Sequence, residues 1–306
     1  MFFLLRTNNL MLFLRTSNSK RGRLKSKLPM ILQKNKGFKF LKSKRALAIP
    51  ITYLILFVST MLLISVTYAF AVQQVNSQKQ AFQVVTAKQD MTSLDNDVLS
   101  VVSQPGSAAT LDFRDSAGQL NIQPSSNNLT ISITDNNGIT ATIFNAATGQ
   151  VVYDLPSSTS PDLGFYLEGD SSTITNQSGS SLSQLYISNG FQGPQIQLGY
   201  RPAVAYSTAG IENGQAVTDI RIYIVNLNSS DPFALQGELP LKISCVSTQL
   251  TTETYHVSDA SGSLAITSQL NGFTGSLSIP ISSTSSGSII NVEIVTSNVS
   301  IDRGAV

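Results

Sequence analysis

The chain is poor in most residues that carry chemistry. Its 306 residues contain one Cys, one His and no Trp, and only 12% are charged. A lone Cys245 cannot close an internal disulfide, and one Cys with one His cannot build a zinc cluster. In KISCV, Cys245 reads as a small core residue of a strand. His256, in ETYHVSD, has Ser258 and Asp259 beside it, but neighbours in sequence do not make a catalytic triad. The expectation is a protein that is not an enzyme and uses no cofactor and no metal. Asp135-Asn136-Asn137-Gly138 lacks the full spacing and closing Glu of a calcium loop and reads as a hairpin turn. Asp112 and Asp115 flank Arg114 as a local ion-pair cluster.

Acidic residues are missing altogether from residues 1–45, which hold 13 of the 20 Lys and Arg. Residues 46–306 hold 7 basic and all 18 acidic residues, a formal net charge of −11. Charge is absent again from Ala46 to Val72, ALAIPITYLILFVSTMLLISVTYAFAV, and the next charged residue is Lys79. At about 1.5 Å per residue this run is roughly 40 Å long as a helix, more than the ~30 Å hydrocarbon core of a bilayer. It exceeds the ~7–15-residue apolar core of a secretory signal, and it lacks the wet face of a soluble helix. Lys and Arg beside a span stay cytoplasmic, so the expected topology is a cytoplasmic N-terminus and an extracellular remainder. The basic segment, KRGRLKSK and then KNKGFKFLKSKR, sits against the span and contains no recognisable nucleic-acid module, so no nucleic-acid partner is predicted. A start at Met30 would leave a compact basic leader.

Beyond the span, QQVNSQKQAFQVVTAKQDMTSLDNDVLSVV is rich in helix formers. Val75, Phe82, Val85, Leu94, Val98 and Val101 give a sparse one-sided stripe. Pro105-Gly106 is the stop signal. One helix over about Leu47–Ser103 is expected, with Pro50 tolerated in its first turn, where the missing N–H would be unpaired anyway. Ala48, Ser59, Ser65, Ala69 and Ala71 are small residues that would permit close helix packing, or are ordinary constituents of a span.

From Gly106 the composition turns to Ser, Thr, Asn, Gly, Ile and Val. Strands are predicted at Thr110–Arg114, Gln119–Ile122, Asn128–Thr134, Thr140–Asn145 and Gln150–Leu155, with turns at 115–118, 135–138 and Ala147-Thr148-Gly149. Residues 156–181 read as loops, and Leu182–Asn189 as a short helix or a strand. Further strands are predicted at Ile196–Tyr200, Ala203–Ser207, Asp219–Asn226, Leu239–Ser247, Thr251–Ser258, Ser263–Ser268, Gly275–Ile281 and Ser288–Val295. Residues 110–155 read as a β-meander at short spacing, and the many short strands together suggest a sandwich or barrel, with two lobes divided near 156–200 as a variant. The expected fold is therefore α+β: a long N-terminal transmembrane helix continuing into an extracellular all-β, sandwich-like head. Its parts are a leader (1–45), the helix (46–104) and the head (105–306). Sequons stand at Asn128, Asn176, Asn228 and Asn298, candidates for glycosylation on the outer side. Asn128 falls in a predicted strand and can serve only if its side chain faces out.

At the junction KSKRALAIP the chain resembles archaeal type IV prepilins over roughly residues 30–105. The resemblance implies a leader cut on the cytoplasmic side by a membrane-bound prepilin-type peptidase. Lys44 and Arg45 stand where the family has its basic pair, and cleavage would follow Arg45 or Ala46, so that Ala46 or Leu47 begins the mature chain. It further implies partners that are identical or related pilin-like subunits, assembled through the apolar helix into a surface filament, as a major, minor or adhesive component. Pro50 fits members with Pro near the helix start. Two departures stand out: Gly is absent at the cut, and Leu47–Ile51 contains no acidic residue where many members carry one. The alternative is a single-pass membrane protein whose β ectodomain binds a ligand or partner without assembling.

Overall fold

A computed structural model describes residues 48–157, 159, 161–177, 181–257 and 262–304. Helix α1 (Ala48–Val102) is followed by fourteen strands among the described residues: β1 (Ala108–Phe113), β2 (Gln119–Thr134), β3 (Thr140–Asp154), β4 (Tyr166–Glu168), β5 (Thr175–Asn176), β6 (Ser183–Asn189), β7 (Pro194–Tyr200), β8 (Ala203–Glu212), β9 (Gln215–Asn226), β10 (Phe233–Gln236), β11 (Leu239–Val257), β12 (Ser263–Leu270), β13 (Phe273–Pro280) and β14 (Ser288–Arg303). The chain thus has one long apolar helix and then mostly β-structure. The chain falls into two compact units divided between Leu63 and Ile64, and α1 contributes to both.

The helix bounds agree with the predicted Leu47–Ser103 to one residue at each end. Gly106 adopts φ +83°, open to glycine, and its N–H reaches the Cys245 carbonyl at 2.8 Å, which turns the chain into β1.

The strands form two sheets. One has the order β1-β11-β14-β9-β8-β5, and the other β13-β12-β2-β3-β7-β6-β4, with β10 also on β2. Buried residues of both sheets meet in two apolar clusters. The first joins Leu120, Leu185, Leu198 and Ile243 to the C-terminal half of α1. The second joins Ile131, Ile222, Ile266 and Val292, with no helix residue.

Several predicted strands prove to be halves of longer ones. Gln119–Ile122 and Asn128–Thr134 are both β2, with a register shift between Gln123 and Asn127. Leu239–Ser247 and the described part of Thr251–Ser258 are both β11, a 19-residue strand paired along most of its length with β14 and bulged at Cys245/Ser247. The predicted turn at Ala147-Thr148-Gly149 is instead the middle of β3. Gly149 is there because the Leu227 backbone passes so close that a Cβ would lie 2.8 Å from its carbonyl oxygen. Glycine in a strand marks close approach as readily as a turn.

The turn at 135–138 does form. The Asp135 carboxylate accepts N–H bonds from Asn137 (3.0 Å) and Ile139 (2.8 Å). Two further hairpins rest on Asn213-Gly214 and Asn271-Gly272, all four at positive φ, an Asn-Gly signal that the sequence reading passed over. Leu182–Asn189 resolves as a strand, β6, and the stretch 156–181 carries the short strands β4 and β5.

The connectivity is not a meander. β14 runs parallel to β9, and β12 joins β2 although about 130 residues separate them. That pairing also crosses any division at 156–200.

Candidate functional site: the long helix and its seat on the head

The N-terminal part of α1 is exposed along its whole length. Every side chain from Ile49 to Lys79 is exposed, including Tyr53, Leu62, Ile64 and Phe70, each more than 60% accessible. The helix is long and apolar enough to cross a membrane. Two of its hydroxyls bond within the helix: Ser59 donates to the Leu56 carbonyl and Thr60 to that of Phe57, both at 2.8 Å. A hydroxyl so paired costs little in hydrocarbon. Pro50 occupies the first turn, as expected. The four processing candidates, Lys44, Arg45, Ala46 and Leu47, lie outside the described residues.

The C-terminal part of α1 is seated on the head. Val84, Ala87, Met91, Leu94, Val98 and Val101 are all buried. Their alternating spacing of three and four residues is a single seam, close to the heptad repeat. The sequence reading found its upper half, Leu94, Val98 and Val101. It placed Val75, Phe82 and Val85 on the same stripe, yet these are exposed. Val84, Ala87 and Met91 take the seam instead, because the helical period sets the face and not side-chain size.

Two carboxylates flank this seam, and neither was singled out from sequence. Asp90 is buried and accepts from the Arg114 backbone N–H (3.0 Å) and its Nε (2.8 Å). Arg114 therefore pairs with an acid 24 residues away rather than with Asp112 or Asp115, which were expected to hold it. Asp115 instead accepts the Ala117 N–H at 2.8 Å. The Asp90 partnership holds the Arg114 guanidinium above its ordinary value.

Asp95 is buried between Ser183 Oγ (2.6 Å) and Tyr200 Oη (2.9 Å), both donating to one carboxylate oxygen. Burial raises its carboxyl despite those two bonds, and burial pushes the Tyr200 phenol well up as well. The adjacent strand ends are tied by Arg201, fully buried, which pairs with Asp170 and donates through Nε to the Ser181 carbonyl at 3.1 Å. That pair lowers the Asp170 carboxyl. Long-range polar pairs of this kind leave no periodic mark in a sequence.

The sequon asparagines are dispersed over the head. Asn128 is exposed on β2, so its side chain does face out, and Asn228 is exposed after β9. Asn298 is half-buried, and its side-chain amide donates to Ser247 Oγ at 3.1 Å. Asn176 is half-buried on β5. Ser230 and Ser300, which complete two of the sequons, are buried.

Cys245 is buried in the first apolar cluster, and His256 is exposed on β11, with Ser258 and Asp259 outside the described residues. A groove of about 270 Å³ lies on the β8–β9–β14 face, against Tyr206, Asp219, Arg221 and Glu293. Its charges are already matched across the strands. Arg221 Nε donates to Glu293 (2.6 Å), and Asn291 donates to Asp219 (2.9 Å). No protein-family model, curated protein or solved structure matches the chain.

Proposed function

We propose that this protein is a type IV pilin-like structural subunit of a cell-surface filament, held in the membrane by α1 before assembly and polymerised through it afterwards. The observation that carries the reading is the division of labour along one helix. Its first half leaves every apolar side chain from Ile49 to Val72 exposed, and its second half is a buried seam on the head. A simple anchor needs only about 20 apolar residues and then a linker. An uninterrupted helix fixed to its head supports a subunit that transmits its position to neighbours.

In this reading the basic leader is cytoplasmic and is removed near Arg45–Ala46 by a prepilin-type peptidase. The sandwich-like β head is extracellular, forms the filament exterior, carries glycans on exposed sequons and serves as a minor or adhesive component. The absence of an acidic residue in Leu47–Ile51 favours the second reading, a single-pass protein whose β ectodomain binds a ligand or partner in the membrane.

The test is N-terminal sequencing of the mature protein from native envelopes. A start at Ala46 or Leu47 is the expected result. A mature protein that keeps the basic leader overturns the filament reading and leaves the anchored ectodomain.

A further inference from the structure

We propose that the head has a lipid-docking end: the loop cluster beside the apolar run of α1 rests on the headgroup layer of the membrane that the helix crosses. The inference rests on the membrane-spanning reading of α1 and holds whether or not the protein assembles.

Three pieces of the head converge on one helix level. Pro161 and Asp162 line a groove of about 380 Å³ against α1 between Ser77 and Lys88. From there the chain passes to β6: the Gly164 N–H donates to the Ile187 carbonyl (2.8 Å), and the Ile187 N–H to that of Phe165 (3.0 Å). β6 starts beside the helix at Asp95, through Ser183, and so runs back toward the apolar end of α1. Its hairpin tip, Gly190–Gly193, ends at the same cluster. A Cβ on Gly193 would lie 3.7 Å from Ser157 Cα, and the Leu155 N–H donates to the Pro194 carbonyl at 2.9 Å.

This end carries large exposed apolar side chains. Phe191 at the hairpin tip is fully accessible (106%), and Phe82, Leu163, Phe165 and Val85 are each at least half exposed. Isolated exposed hydrophobics are ordinary, but here Val85 lines the groove with Asp162, Leu163 and Phe165 follow Asp162 in the chain, and Phe191 is on the hairpin that returns to Ser157 of the same loop.

Their height relative to the bilayer follows from the helix. Apolar sequence ends at Val72, and the groove begins at Ser77 and is centred near Ala81, roughly 13 Å further at about 1.5 Å per residue. The uncharged stretch from Ile49 to Gln78 is about 45 Å long, close to the ~40–45 Å of a bilayer with its headgroups. The cluster therefore meets the interface, where aromatic side chains are favoured.

The chain contains no Trp, so one substitution gives a single fluorescent probe in the full-length protein. Phe191→Trp, Phe165→Trp, Phe70→Trp and Ile139→Trp all replace exposed side chains. Phe70 lies in the apolar run, and Ile139 at the opposite end of β3 from Leu155. Each variant is reconstituted into phosphatidylcholine–phosphatidylglycerol vesicles carrying bromine either near the headgroup or deep in the acyl chains. Phe70→Trp should lose most of its emission to brominated lipid, and Ile139→Trp none. Phe191→Trp and Phe165→Trp should lose most of theirs to headgroup-proximal bromine. If Phe70→Trp is quenched and both loop probes keep their emission, the docking proposal is overturned and the span stands. A blue-shifted but unquenched loop probe also overturns it and identifies protein, such as a second copy, as the cover. If Phe70→Trp itself is unquenched, the spanning reading fails, and docking with it.

Discussion

The two halves of α1 are made of similar helix formers, yet they answer to different surroundings. From Ile49 to Val72 almost every position is apolar and all are exposed. From Val84 to Val101 apolar residues recur at intervals of three and four, and those positions are buried. The first half has no wet face, so it needs an apolar surround on every side. The second has one dry seam and takes one partner, its own head. An all-round apolar helix points to lipid or to several sister helices, whereas a one-sided one points to intramolecular packing.

The largest break in this comparison is charge in the first half. Leu56→Arg with Leu63→Arg should oppose membrane insertion by about 6 kcal/mol, at roughly 3 kcal/mol for each Arg near mid-span. Carbonate extraction should then move the protein from pellet to supernatant. Retention in the pellet would mean that the first half is not what holds the protein there.

The second half should respond in the opposite way. Leu94→Ala should cost about 2–5 kcal/mol of head stability, read as a lower urea midpoint, because it opens a cavity in the seam. Its membrane fraction should stay unchanged. The equivalent truncation Leu62→Ala in the first half should leave the urea midpoint of the head where it was.

A smaller effect is expected at Arg114→Ala, which leaves the buried Asp90 without its charged donor and should lower the urea midpoint by less than Leu94→Ala does. Asp112→Ala and Asp115→Ala provide the contrast. If either matches Arg114→Ala in urea melts, the long-range pairing with Asp90 is not what secures this part of the seat.

The smallest effect is a slope. Burial raises the Asp95 carboxyl, so the folded protein keeps that proton to a higher pH than the unfolded chain. Stability from this group is full below the ordinary 3.8 and is lost as pH rises through the raised value. Asp170, lowered by Arg201, has the reverse sign: its contribution is present above 3.8 and is lost as pH falls through the lowered value. Urea midpoints measured against pH should therefore flatten above 3.8 in Asp95→Asn and below 3.8 in Asp170→Asn. An unchanged slope in Asp95→Asn would mean that the carboxylate is hydrated in its seat.

Local signals in the sequence were legible where one residue or one period fixes the outcome. The helix ends at Val102 because Pro105-Gly106 cannot continue it, and the Asp135–Gly138 turn forms because Asp135 caps its own backbone. Strand existence was legible from β-branched runs, as in Asp219–Asn226 within β9. Strand extent was not, because polar stretches such as 247–252 stay extended when a long partner pairs them, as β14 pairs β11. Of the seat, Leu94, Val98 and Val101 were readable, and Asp90, Asp95, Arg114 and Tyr200 were not.

The sequence by itself determined the long uncharged run, the charge split around it, the helix and the β-rich character of residues 106–306. These depend on composition and on short periods that any window of the chain displays. Only the tertiary structure decided which helix face became the seam, which acid met Arg114, that β14 lies parallel to β9, and that the loop at Pro161 and Asp162 lies against α1. Those are outcomes of pairing between distant segments, and the free energy that selects them comes from joint burial and hydrogen bonding that no segment possesses alone.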